Sequence, residues 1–552
     1  MTALLTDNLP LLAGAPNGIK KLRELILDLA VRGKLVPQDP NDEPASELLK
    51  RIAEEKARLV AEGKIKRIKQ ESEPSGESES FDGLPCGWSK IAGQEIFIPR
   101  SGNSKLIKGK LFDAPAPDRY PGYSASGQDV WLKSWEHDGT AIIISAVGAR
   151  CGKAFLASGK WSAIANTHIV WPLPLINEHY AMLILNNESY WIRSGGAQPF
   201  IKVGDTLLKK IALPPLAEQH RIVAKVDELM ALCDRLEAQQ ADAGSAHAQL
   251  VQALLDSLTQ ARDAEDFAQS WQRLAEHFHT LFTTESSIDT LKQTLLQLAV
   301  MGKLVPQDSS DEPASELLKR IAEEKARLVA EGKIKKQKLL AEIAEEDKTF
   351  ALPIGWEWAR LDDVAHVFAG NAFKSEDFQE NPGVRVIKIT NAGAGEFIET
   401  EDYLPSGYEV EYSPFSVKKS DLILALTRPY ISTGLKVSKC PPEYDGALLN
   451  QRVAAIRFFS DINSDFGFLF FSSPIVLSIY QERFGGSGLQ PNLKMSDVTT
   501  LLVPIPPAEE QHRIVAKIDQ LMALCDQLKA RLNQARQVHE HLANALVEQA
   551  VA

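Results

Sequence analysis

The sequence predicts an α+β protein: two globular modules of mixed sheet and helix, joined by long antiparallel coiled-coil helices and related by a pseudo-twofold internal repeat. Three observations carry this. PLAEQHRIVAKVDELMALCDRL at residues 215–236 returns as PAEEQHRIVAKIDQLMALCDQL at residues 507–528, an offset of 292. A second block, starting at residue 19, returns at residue 288 with an offset of 269. LPxGW opens a β-rich stretch in each half, as LPCGW at residues 84–88 and LPIGW at residues 352–356.

In both copies of the first repeat the apolar residues recur at spacings of four and three. They are Ile222, Val226, Leu229, Cys233 and Leu236, then Ile514, Ile518, Leu521, Cys525 and Leu528. That is a heptad seam, and a helix carrying one needs a partner. The simplest partner is the helix's own repeat folded back antiparallel, so the two seams are expected to form one interface. A rod of roughly 45 residues would be about 65 Å long at ~1.5 Å per residue.

Residues 19–36 place apolar side chains at 19, 22, 25, 26, 29 and 30, one helical stripe, with Gly33 as a C-cap. After a turn, DEPASELLKRIAEEKARLVAEG predicts an amphipathic arm helix carrying Leu48, Leu49, Ile52, Leu59 and Val60. Asp42 or Glu43 can cap it, Pro44 suits its first turn and Gly63 ends it. Between residues 33–69 and 302–338, 33 of 37 positions are identical, charges included. Packing alone tolerates volume-conserving swaps. Either the duplication is recent or both copies meet the same surface of the same partner, and both explanations stay open.

Polar linkers follow at residues 70–83 and 341–350. Each module then shows short β-type runs. These are 140–146 and 164–171 in the first, and 384–390, 421–427 and 453–458 in the second, with helical stretches at 178–192 and 466–480. Both modules leave through a similar segment, QPFIKVGDTLLKKIALPP and QPNLKMSDVTTLLVPIPP. Between these landmarks the two sequences share little. The resulting partition is a helical region and arm at 1–83, a module at 84–213, a central helical region with the repeated arm at 214–351, a module at 352–505 and a final helix at 506–552.

Net charge is −12, which taken alone argues against nucleic acid. Locally the balance differs: residues 84–212 carry 14 basic and 9 acidic side chains, and residues 352–503 carry 13 and 19. The first module can hold a basic face. The second can do so only by sorting its charges. No apolar run is long enough to span a bilayer, and the N-terminal segment lacks the basic start and cleavage site of a signal peptide. The five cysteines form no CxxC. A reduced, cytoplasmic protein is expected.

Catalytic and metal-binding patterns are missing. Gly148-Ala-Arg-Cys-Gly152-Lys153 lacks phosphate-loop spacing and continues with Ala154. The proline pairs follow Leu213, Cys440 and Ile505, so no Asn/Asp-Pro-Pro-aromatic loop of an adenine methyltransferase is present. Glu54-Glu55-Lys56 resembles the tail of a nuclease motif but has no paired carboxylate and reads as a solvated helix face. His220 and His512, each at a helix start, read as structural.

In their ordered duplication, the two LPxGW segments, the two PPxxEQHRIV exits and the LAVxGKLVPQD block resemble the specificity subunit of type I restriction–modification systems over nearly the whole chain. The resemblance implies that each module is a target recognition domain reading one half of a split double-stranded DNA site. It implies that the repeated regions form a spacer binding two methyltransferase subunits, with restriction subunits in the larger assembly. S-adenosylmethionine, ATP and Mg²⁺ would then belong to those partners, and the chain itself would carry no catalytic residue, metal or cofactor. Two unlike modules on one spacer read an asymmetric site, as a dimer reads a palindrome. The competing reading is a coiled-coil adaptor that holds protein partners without reading DNA. A weaker one is an intrinsic nuclease.

For DNA contact, polar, basic and aromatic residues in glycine-rich loops are the candidates. The first module offers the stretch Ser101-Gly-Asn103-Ser-Lys105, then Lys108, Lys110, Tyr123-Ser-Ala-Ser126, Arg150 and Lys153. The second offers Asn371, Lys374, Lys388, Asn391, Arg428, Tyr430 and Lys436. The loops at 195–198 and 485–490 are equivalent and either touch DNA or merely turn the chain.

Overall fold

The computed structural model describes residues 9–65, 83–196, 198–262, 264–335, 342–380, 383–484 and 491–551. Residues 70–82 of the first polar linker and the loop at 485–490 lie outside the described residues, as do Ala197 and Ala341. The chain divides into two compact units, Met1–Ala243 with Ala535–Ala552, and Gly244–Gln534.

Two helices of 44 residues run through Leu216–Thr259 and Ala508–Val551. In the first unit, Ile222, Val226, Leu229 and Cys233 are buried together with Ile19, Leu22, Leu25, Ile26 and Leu29 of the helix Gly18–Val31. Ala543, Leu546 and Val547, from the far end of the C-terminal helix, join the same core, and Leu236 packs against it. In the second unit Ile514, Ile518 and Cys525 share a core with Ile288, Leu291, Leu295 and Leu298 of the helix Glu285–Val300. Val251, Leu255 and Leu258 enter that core, and Leu521 and Leu528 pack on it. Each core so combines the start of one long helix with the end of the other, the antiparallel sense.

The expected face-to-face pairing of the two seams is corrected by these cores. Each seam lies instead on the helix that precedes its own arm. The reason is the stripe itself: Gly18–Val31 and Glu285–Val300 each bury a full apolar stripe against the seam, and complementary charges hold them in place. Arg23 reaches Asp234 at 2.6 Å and Glu237 at 2.8 Å, and Lys529 reaches Asp289 at 3.0 Å.

The arm helices Ala45–Ala61 and Ala314–Ala330 bury only Ala45, Leu48 and Ile52, and Ala314, Leu317 and Ile321. Their N-termini differ from expectation. Pro44 and Pro313 occupy the cap position without a side-chain bond. The first helical N–H groups, of Ala45 and Ala314, instead donate to the carbonyls of Gly87 and Gly355 in the LPxGW loops, at 2.8 and 2.9 Å. Asp42 and Asp311 are taken by Arg221 and Arg513, at 2.6 and 2.5 Å.

Arm, module and rod meet at one junction in each unit. Glu218 and Glu510 are buried, at 0% and 1% exposure. Each accepts from an indole N–H, Trp88 or Trp356, at 3.0 Å. Each also accepts from a glutamine amide, Gln38 or Gln307, at 3.2 Å. Burial pushes both carboxyls above the ordinary range, against the pull of these donors and of Arg221 or Arg513. Next in sequence, the Gln219 and Gln511 side-chain oxygens accept from the backbone N–H of Asn177 and Asn463 at 3.0 and 2.8 Å. Those asparagines cap the helices Glu178–Leu185 and Ser464–Ser472 and donate to the Nδ1 atoms of His220 and His512. Every residue of the duplicated EQHR so has a structural partner.

Each module closes with an antiparallel pair of opening and exit strands, Ser89–Ala92 with Lys210–Leu213 and Glu357–Arg360 with Leu502–Ile505. The first main sheet has spatial order Phe97–Ser101, Thr167–Pro172, Ala141–Ser145, Ala154–Ala157, all antiparallel. The second has Ala365–Ala369, Val453–Phe458, Leu422–Ala425, Val437–Lys439 in the same sense. A smaller sheet in each carries one parallel pair, Tyr120–Ser124 with Lys160–Ala163 and Val384–Ile387 with Leu448–Leu449. The interiors share a topology that their sequences do not display.

Gly302 turns the chain at φ 69°, and a Cβ there would lie 2.4 Å from Pro353 Cγ and 2.9 Å from the Trp356 ring. Gly332, at φ 71°, has nothing within 4 Å of that position. Gly332→Ala therefore carries only backbone strain, about 1–2 kcal/mol. Gly302→Ala is expected to cost more, because overpacking adds a further ~1–3 kcal/mol. Urea unfolding followed by tryptophan fluorescence checks the order, and equal costs would show that the close approach is idle.

Candidate nucleic-acid interface

The register of the main sheet brings four chain segments to one edge. In the first module these are the end of Phe97–Ser101, the start of Thr167–Pro172, the end of Ala141–Ser145 and the start of Ala154–Ala157, since Ser101 pairs with His168, Ser145 with Thr167 and Ile144 with Ala154. The loops beyond them carry Asn103, Lys105, Arg150, Lys153, Asn166 and Gln198. In the second module the same edge gathers Asn371, Arg428, Tyr430, Lys436, Arg452 and Asn492, because Ala369 pairs with Ala454, Ala425 with Val453 and Leu424 with Val437.

Main-chain bonds place these residues at matching stations. Asn103 and Asn371 donate through their backbone N–H to Ala163 and Leu449, each at 2.8 Å. Ala146 and Leu426 donate to the carbonyls of Asn166 and Arg452, each at 2.9 Å. Gly148 and Arg428 donate to Pro199 and Pro491, at 2.8 and 2.9 Å. The Lys153 and Lys436 carbonyls accept from Ser145 and Ala425, at 2.9 and 3.0 Å. The backbones agree at four stations. The side chains agree at two of these, Asn103/Asn371 and Lys153/Lys436, and differ at Gly148/Arg428 and Asn166/Arg452.

The sequence-derived candidates divide by environment. Lys105, Lys110, Ser126, Arg150, Lys153 and Arg428 are exposed, and Arg150, Lys153 and Arg428 stand on the shared edges. Lys108 is exposed but paired with Asp129, and Lys374 reaches Glu376 at 3.5 Å. Asn371, Lys388, Tyr430 and Lys436 are half-buried. Lys388 spends its amine on Asp402 at 2.6 Å, and Lys436 donates to the Ile389 carbonyl at 3.2 Å. Burial, then the like charge of Arg428, hold Lys436 below the ordinary lysine range.

Two candidates are corrected. Tyr123 is 8% exposed, packs edge-on to Trp161 and donates to the Leu156 carbonyl at 3.3 Å. Its ring fills the module core with Ile143, Trp161 and Ile169 because its strand lies between two neighbours and its last three residues are all buried. Asn391 is fully buried: its amide donates to Ile398 and Thr400 and its oxygen accepts from the Lys388 N–H, so it staples a loop. Asn166 and Arg452 were not singled out from sequence, whereas Asn103 was, within the stretch 101–105. The Gly-Asn pair preceding each loop, Gly102-Asn103 and Gly370-Asn371, was the available signal.

The acidic balance of the second module is carried in part elsewhere. Asp362, Asp421, Asp445 and Asp461 flank the opposite end of its main sheet, where Arg457 closes on Asp421 at 2.6 Å. Lys56 of the nuclease-like triplet bonds to the Gln94 carbonyl and to Glu95. The edge so built is a set of exposed basic and amide side chains on rigid main-chain anchors. It can bind phosphate and read base edges.

A family described as "Type I restriction modification DNA specificity domain" matches residues 132–243 and 353–536. The specificity subunit of the type I restriction enzyme EcoAI of Escherichia coli is 41% identical, with 97% of this chain and 94% of that protein covered. The EcoEI specificity subunit of Escherichia coli is 37% identical with the same coverage. Among solved structures, the HsdS subunit from Thermoanaerobacter tengcongensis aligns at 15% identity and TM-score 0.39, covering 87% of this chain and 98% of that one. By its near full-length identity to such relatives, the chain belongs to the DNA specificity subunits of type I restriction–modification enzymes.

Proposed function

We propose that this specificity subunit is a non-catalytic reader of a bipartite, asymmetric double-stranded DNA site. The observation that supports it is the pair of matched sheet edges. The backbone stations are the same in both modules, and the side chains differ at Gly148/Arg428 and Asn166/Arg452. Equivalent frames with unlike readers recognise unlike half-sites.

In this reading the modules 84–213 and 352–505 each take one half-site, with Lys105, Arg150, Lys153, Asn371, Arg428, Tyr430, Lys436 and Arg452 as contacts. The helical regions join them and dock two methyltransferase subunits, to which restriction subunits add. The duplicated arms support that docking: both present the same exposed ion pairs, Lys50–Glu47 at 2.8 Å and Lys319–Glu316 at 2.7 Å. Such pairs add little stability, so stability is a poor reason to keep them alike. S-adenosylmethionine, ATP and Mg²⁺ would act on the partner subunits, in the cytoplasm. No described helix is long and apolar enough to cross a membrane.

Replacing residues 84–212 by a foreign module tests the reading. The methylated sequence is expected to change in one half-site and stay the same in the other. An unchanged sequence would favour a protein adaptor. In the reconstituted complex, Lys153→Ala and Arg452→Ala should each weaken DNA binding by about 1–3 kcal/mol. Lys419→Ala, at the opposite end of the second sheet, should leave affinity and its salt dependence unaltered.

A further inference from the structure

One station of the matched edges is filled against the backbone's own preference. After the central strand of each main sheet, the chain is pinned by an N–H bond to the proline of the exit segment. The donor is Gly148 in the first module and Arg428 in the second. Both sit at positive φ, 96° and 49°. Glycine adopts that region freely, whereas an L-residue does so under strain. Arg428 is doubly disfavoured, because Pro429 follows it and a residue before proline is pushed towards extended backbone.

The fold gains nothing visible from the guanidinium. Arg428 is exposed and forms no ion pair among the described residues. Its backbone is nevertheless fixed on both sides: its own N–H bonds to Pro491, and the Pro429 carbonyl accepts from Lys436 N–H at 2.6 Å. A strained residue held this firmly, where the sister module uses glycine, is the kind of outlier that marks function. Anchoring the backbone also reduces the ordering cost of engaging the side chain.

We infer that Arg428 is a specificity-determining residue of the second module, reading a guanine in the half-site that this module takes. The inference rests on the reading proposed above. A guanidinium offers a planar fork of donors matching the O6 and N7 acceptors of guanine in the major groove. The first module has no side chain at this station and discriminates through others.

The test uses the full chain reconstituted with its methyltransferase subunit, mapping methylated sequences and measuring binding against salt. Arg428→Gly removes the strain and should unfold at a temperature no lower than the parent. It should lose preference at one guanine of the second half-site by about tenfold or more and keep the first half-site intact. Arg428→Lys retains charge without the fork and should lose the same preference with its salt dependence kept. It carries the test alone if the glycine variant misfolds. A variant with the parental motif overturns the assignment. So does a loss equal for all sequences, which marks a phosphate contact. A parental complex that methylates without any motif overturns the specificity reading itself, before any substitution is made.

Discussion

A buried carboxylate fixes the geometry of each unit. Glu218 and Glu510 lie out of solvent, and an isolated carboxylate there would cost several kcal/mol. Their two donors come from separate stretches of chain, an indole from the module opening and an amide from the turn before the arm helix, and the guanidinium one turn along the rod, itself bonded to Asp42 or Asp311, adds a favourable charge. The charge is compensated only when all of these are assembled. Removing one partner of such a group typically costs about 3–5 kcal/mol, because the charge stays behind. Arm, module and rod start are therefore held in one arrangement within a unit, the rigidity that a DNA specificity subunit needs.

This constraint explains which segments the chain carries twice. LPxGW supplies the indole and the carbonyl that caps the arm helix, GKLVPQD supplies the glycine turn and the amide, and EQHR supplies the carboxylate and the helix-capping partners. The module interiors contribute few of these groups, chiefly the helix-capping Asn177 and Asn463. Most interior positions can diverge without disturbing the junction.

The elements set by local signals were legible in the sequence. The two long helices, the arm helices, the glycine turns at Gly33 and Gly302 and the anchoring tryptophans all carry short-range patterns that repeat. What a heptad seam does not encode is its partner. It announced a buried face at Ile222–Cys233, and the helix Gly18–Val31 took that face through its own apolar stripe. The edges were harder. Asn103 and Asn371 are 268 residues apart, Gly148 and Arg428 280, and Pro199 and Pro491 292, because loops of different length intervene. A drifting offset hides equivalence that long-range strand pairing restores. Side-chain type likewise misplaced Tyr123 and Asn391, whose burial depends on which strand face or loop interior receives them.

The matched edges are built from main-chain hydrogen bonds, and this separates recognition from stability. The carbonyl of residue 166 or 452 accepts the same bond whether its side chain is an amide or a guanidinium. Substitution at residue 452 changes what is presented to a ligand and leaves the frame alone, whereas Asn166 sits at φ 65°, a left-handed conformation that asparagine adopts more readily than most residues. The station at residues 148 and 428 is left-handed in both modules, at φ 96° and 49°, so its backbone conformation depends on the side chain in each. Glycine satisfies it without strain, and any other residue must be retained against a conformational cost. Side-chain choice and folding are coupled at residues 148 and 428 and at Asn166, and uncoupled at Arg452, so the two modules can share a fold while their exposed surfaces part company.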